Sequence, residues 1–115
     1  MVEDIVVREM LPGGKTTAGY FTLLNHSDQS VTLTKVTSDL SGKVEIHEHV
    51  MTQGMMKMQQ VKQGIVIKPH QRVTFEPGGY HLMIFKDAKK IKKGMDFKLK
   101  LHLSNNQTVN GSGKV

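Results

Sequence analysis

The 115-residue chain contains no cysteine. That absence excludes zinc ribbons, thiol–disulfide exchange and a cysteine nucleophile, and it also excludes the His₂Cys site of a blue-copper electron carrier. It says nothing about compartment. No run approaches the roughly eighteen apolar residues that a membrane span needs. The opening MVEDIVVREM lacks a charged stretch followed by an apolar one, so no export signal is legible in it. Aromatic residues make up only 5% of the chain, and none interleaves with the basic residues as a base-stacking platform would. A net charge of +6 is therefore a poor argument for nucleic-acid binding. Seven lysines crowd between Lys86 and Lys100 in KDAKKIKKGMDFKLK, which reads as a solvated loop and a lysine-protected edge strand. A docking surface for an acidic partner is the other reading of that run.

Also missing is a helical stripe of apolar residues over ten or more positions. What the chain has instead is short alternating segments separated by turn-forming clusters, LPGGKT, NHSDQ, SDLSGK, TQG, KQG, KPHQ, EPGG and SNNQ. The alternation predicts strands at Asp4–Glu9, Ala18–Asn25, Ser30–Thr37, Lys43–Val50, Met55–Val61, Ile65–Ile67, Arg72–Phe75, Tyr80–Phe85 and Phe97–Leu103. Short strands at this spacing suggest an all-β fold, an antiparallel β-sandwich or Greek-key barrel. The length fits a single domain, 1–115, with residues 4–104 as its folded core and 105–115 as a flexible or final-strand tail. DAKKIKKG has room for one helical turn at most.

Methionine is abundant: eight of the 115 residues, four of them in HEHVMTQGMMKM. Flexible Met specifies core packing poorly, although it is also a common gap-filler. Its pairing with histidine favours a metal reading. His47 and Met58 are separated by ten residues, Met58 and His81 by twenty-two, and His81-Leu82-Met83 closes the set. Thioether sulfur and neutral imidazole together suit Cu(I) better than hard cations. Strand alternation puts Val44 and Ile46 on one face and Glu45, His47 and His49 on the other; Leu82 and Ile84 oppose His81 and Met83 in the same way. The candidate ligands are thus out of phase with the aliphatics. Ligands from two or three neighbouring strands can converge on one ion.

These residues carry a resemblance to a known family. The segments AGYFTLLNHSDQSVTL, VEIHEHVMTQGMMKMQQV, PHQRVTFEPGGYHLMIF and GMDFKLKLHLSN, and within them EIHE, G-x-M-K-M and PGGYHLM, resemble the periplasmic copper chaperones called PCuAC. The family's motif, a His, a Met ten residues on and a later H-x-M, maps onto His47, Met58, His81 and Met83. The twenty-two-residue gap is one longer than that pattern is often written, a difference a turn such as KPHQR or EPGGY can absorb. The resemblance implies a cupredoxin-like antiparallel β-sandwich and an exposed His/Met site for Cu(I). It also implies delivery of copper to the CuA centre of cytochrome c oxidase subunit II, often alongside a Sco-type thiol protein, in a periplasmic or other extracytoplasmic location. The chain departs from some relatives in ending SNNQTVNGSGKV, without a His/Met-rich extension, and in its lysines after HLMIF.

The expectation is a monomeric, non-enzymatic copper carrier with metal ligands His47, Met58, His81 and Met83. Two other classes stay open: a copper-dependent oxidase or reductase, and a metal-independent β-sandwich module whose Met-rich face binds a partner protein. Around the site, His49 and Met51 read as the exposed end of a strand or as secondary ligands. Met55 and Met56 read as packing or as a hopping path for copper. Glu45 and Glu48 read as solvated residues or as groups that orient an imidazole. His26, His70 and His102 are assigned to structure.

Overall fold

Strand-forming alternation is realised almost everywhere it was expected. The computed structural model describes residues 1–11, 13–85 and 91–115. Among these, the strands in chain order are β1 (Val2–Val7), β2 (Thr16–Leu24), β3 (Val31–Ser38), β4 (Val44–Thr52), β5 (Met55–Gln60), β6 (Ile65–Ile67), β7 (Arg72–Thr74), β8 (His81–Phe85), β9 (Asp96–Leu103) and β10 (Thr108–Lys114). Each agrees with its expected segment to within one or two residues, and residues 108–114 of the tail form β10 against β9. Positions 87–90 of DAKKIKKG lie outside the described residues; no helix occurs among the described ones.

The strands form two antiparallel sheets. One runs β1-β2-β8-β4-β5, with β7 also paired to β2; the other runs β10-β9-β3-β6. The chain changes sheet between β2 and β3, β3 and β4, β5 and β6, β6 and β7, and β8 and β9, so neighbours in space are mostly distant in sequence. The molecule is a cupredoxin-like β-sandwich. Its core is filled by the inward positions of both sheets. Phe97, Leu99 and Leu101 point in from β9 while Lys98 and Lys100 point out. Phe21, Leu23, Ile46, Leu82 and Ile84 meet them from the first sheet, with Phe21 stacked on Phe75 at 4.2 Å between ring centroids.

Two turns aim the residues that matter for the site. Gln53 and Gly54 both have positive φ, 52° and 77°, the backbone of a tight type I′ hairpin between β4 and β5. That turn sets the register in which Thr52 pairs with Met55, Met51 with Met56 and His49 with Met58. Before β8, Gly78 at φ 85° follows Pro77, and Gly79 N–H donates to the Glu76 carbonyl at 3.0 Å. This type II turn delivers His81 as the first residue of β8.

Candidate metal centre

The candidate ligands stand on β8 and β4, adjacent interior strands of the larger sheet, and on β5 at its edge. Their relation follows from the register. His47 on β4 is the direct cross-strand partner of His81 on β8, and Glu45 is the partner of Met83. Directly paired residues in an antiparallel sheet present their side chains on the same face. On the other side of β4, His47 pairs with Gln60 and His49 with Met58. Met83 and Met58 are therefore both diagonal neighbours of His47, one on each flank, at about 7–8 Å and within reach of a long side chain. The four residues picked out by spacing share one face around the His47–His81 pair.

That face is less open than its phase suggested. The phase of His47 and His81 against the aliphatics, like the family resemblance, predicts an exposed site. In the structure they are out of phase and still buried, at 9% and 6% of their surface exposed. His81 also borders residues from elsewhere in the chain. A cleft of about 690 Å³ beside His81 and Met83 is walled by Arg8, Glu9, Leu11 and Gly14 from the β1–β2 connection. Thr17 Oγ1 donates to the Arg8 carbonyl at 2.7 Å and Met10 N–H to the Ile91 carbonyl at 3.0 Å, which hold that connection in place. Met58 remains open, at 48%.

Hydrogen bonding sorts the imidazole nitrogens. His47 Nε2 lies 2.8 Å from Glu45 Oε1. A carboxylate only accepts, so in the neutral ring Nε2 carries the proton and Nδ1 the lone pair. His47 Nδ1 is buried with no hydrogen-bond partner, and so is Nδ1 of His49. A buried nitrogen without a partner is costly unless something else occupies its lone pair. Lys43 Nζ, 3.7 Å from Glu45 Oε2 and over the Phe85 ring at 4.4 Å, steadies the carboxylate from behind. His81 Nδ1 faces the Gly79 carbonyl at 3.5 Å, which favours the tautomer with Nε2 unprotonated.

The three rings form a file. The His81 ring lies 5.8 Å from that of His47 and 5.1 Å from that of His49, centroid to centroid. Burial lowers the His81 pKa below the ordinary imidazole value; the Gly79 carbonyl opposes this, and the neighbouring His49 and His47 reinforce it. The neutral ring so favoured is the form that binds metal. Among the described residues no three His, Asp or Glu side chains converge as a ligand set, and the further donors available on this face are thioethers.

Two residues for which the sequence favours an exposed, solvated role belong to this arrangement. Glu45 is bonded to His47 rather than simply solvated, a role its position two residues away on the same face could have signalled. His49 lies in the ring file rather than at a free strand end. The remaining histidines are elsewhere: His26 is exposed in a turn, His70 pairs with Asp28 at 2.8 Å, and His102 on the other sheet bonds Thr37 Oγ1 at 3.0 Å.

The two-sheet antiparallel sandwich is the fold this chain shares with solved PCuAC domains. The chain belongs to the LpqE-like lipoprotein family, which it matches over residues 1–115. It is 33% identical over 89 residues to the uncharacterized protein RP573 of Rickettsia prowazekii (strain Madrid E), an alignment covering 77% of this chain and 49% of that protein. The chain thus spans about half the length of that curated relative. Its fold is similar to the apo PCuAC domain from PmoF1, with a TM-score of 0.77 at 20% identity over 99% of this chain and 90% of the other. It is also similar to the CuI-DR1885 structure from Deinococcus radiodurans, with a TM-score of 0.72 at 25% identity over 94% and 72% of the two chains.

Proposed function

We propose that this chain is a copper carrier that holds Cu(I) with His47, His81, Met83 and Met58 and releases it to an acceptor by ligand exchange. The observation that carries this reading is the unpartnered, buried Nδ1 of His47, oriented by Glu45 and flanked by His81 and the two methionines. A ligating histidine whose other nitrogen donates to a carboxylate is the usual arrangement of a metal site. Soft thioethers beside it favour Cu(I) over harder ions. The copper-bound state named for the Deinococcus radiodurans protein, which shares this fold, supports the same reading.

Copper is the cargo here, and no covalent chemistry is asked of the protein. Partial burial of the two imidazoles keeps water from the ion, while the exposed Met58 gives an acceptor a side from which to compete. The acceptor in this proposal is the CuA centre of cytochrome c oxidase subunit II, met outside the cytoplasm, where a lipoprotein-family chain would work. A Sco-type thiol protein is the proposed companion. X-ray absorption at the copper edge of the reduced, loaded protein tests the core of this reading. One Cu(I) per chain with mixed sulfur and nitrogen donors is expected, and only nitrogen and oxygen scatterers would overturn it.

The exposed methionines also suit a metal-independent module that binds a partner protein through this face. A copper titration separates the two: a module of that kind shows no stoichiometric uptake.

A further inference from the structure

Beyond the His47–His81 pair, the same face continues toward the hairpin tip as a second block of soft donors. His49 pairs with Met58 and, one step further, Met51 pairs with Met56. The four side chains occupy the corners of one cell of the sheet, about 5 Å apart across the strands and about 7 Å apart along them. Met55 is excluded by the pleat, because its partner is Thr52 and the two face the other way.

This block is built unlike ordinary surface. Met51, Met56 and Met58 are exposed to 65%, 58% and 48%, three thioethers held side by side in water on a two-stranded edge. At its inner corner His49 offers a buried nitrogen, Nδ1, that bonds to nothing, with its ring against that of His81. Polar neighbours on the strip are few. Glu48 and Gln59 bond each other at 3.1 Å on the opposite face, and Lys57, the partner of Val50, also points that way. Within β4 and β5, the one lysine therefore stands on the face opposite the thioethers.

We infer that Met51, Met56 and Met58, with His49 at the inner edge, form a second Cu(I) site at the β4–β5 hairpin, from which the ion passes to the His47–His81 site through Met58. This rests on the copper-carrier reading and extends it by naming the point of entry and exit. Met58 belongs to both cells, being the partner of His49 and a diagonal neighbour of both Met51 and His47. Each transfer makes one bond from Cu(I) to a donor as another breaks, the ion keeps its oxidation state, and no proton or electron moves. The outer site, richer in thioether and exposed, is the weaker of the two.

Silver(I) is a redox-inert probe for such sites. The test is a titration of the whole chain with Ag(I), followed by native mass spectrometry and by the methyl signals of its eight methionines in ¹³C-methyl-labelled protein. Two equivalents are expected, the first shifting Met58 and Met83, the second shifting Met51 and Met56 and moving Met58 again as the thioether shared by both ions. In Met51→Leu/Met56→Leu, which keeps the apolar bulk, the second equivalent is lost and the first retained. Saturation at one equivalent with Met51 and Met56 unmoved overturns this inference and leaves the carrier reading standing. Two equivalents retained in the double variant also overturn it. Titration with no shift at Met58 or Met83 overturns the carrier reading itself. Should the double variant fold poorly, the wild-type methyl shifts decide alone.

Discussion

Glu45 Oε1 sits 2.8 Å from His47 Nε2 across two residues of one strand, and the opposite nitrogen of that ring is buried without a partner. The carboxylate thereby selects the tautomer and aims the lone pair at the face shared with His81. Removing it tests whether that aim matters. Glu45→Ala is expected to weaken Cu(I) binding by about 10- to 100-fold, the usual effect of losing such a partner. Competition against a chromophoric Cu(I) chelator measures the loss, and an unchanged affinity would show that His47 is not held for a metal.

Ligand and core positions occupy opposite faces of the larger sheet, so substitutions on the two faces should separate function from stability. Leu82 is fully buried, and Leu82→Ala is expected to cost roughly 2–5 kcal/mol in chemical denaturation. Met58 is half exposed on the edge strand, and Met58→Ala should leave the apo protein within about 1 kcal/mol of wild type while lowering copper affinity. Equal destabilisation by both would mean that Met58 packs rather than binds.

The hairpin that carries Met58 depends on a left-handed backbone. Gly54 has φ 77° and open space where a side chain would go, so Gly54→Ala meets conformational strain without a clash. A loss of about 1–2 kcal/mol is expected. Thermal or urea unfolding checks it, and a neutral result would argue that the turn adopts another form in solution.

Protons should weaken the apo fold through His81. Its pKa is lowered on folding, chiefly by burial, so the unfolded chain binds a proton more readily than the native one. Stability therefore rises with pH between the lowered native value and about 6.5, is unaffected above that window, and is reduced by the full amount below it. His102 acts in the same direction, lowered by partial burial and by Lys35 and Lys100. Denaturation measured from pH 7 down to 5 should show a shallower decline in His81→Gln than in wild type. An unaltered slope would place the titration elsewhere.

Much of this was legible because strand periodicity is local. Val44, Ile46, Leu82 and Ile84 alternate with Glu45, His47, His81 and Met83 whatever the strands pair with, so the all-β class, the strand positions and the side on which each ligand stands followed from the chain alone. The spacing of His47, Met58, His81 and Met83 likewise singled out a soft-ligand set without any pairing being known.

Only the tertiary structure decided which strands became neighbours and what lies over them. Register made His47 the partner of His81, across 28 residues of chain between β4 and β8, and set Met58 and Met83 on opposite diagonals. Both histidines are buried although alternation alone would leave their face in water, and His81 shares its cleft with Arg8, Glu9, Leu11 and Gly14, far away in sequence. The bond from Glu45 to His47 is likewise a matter of partial burial, since a carboxylate in open water gains little from one imidazole. Local sequence sets the direction of a side chain on a strand, whereas its exposure is a property of whatever the rest of the chain packs against it.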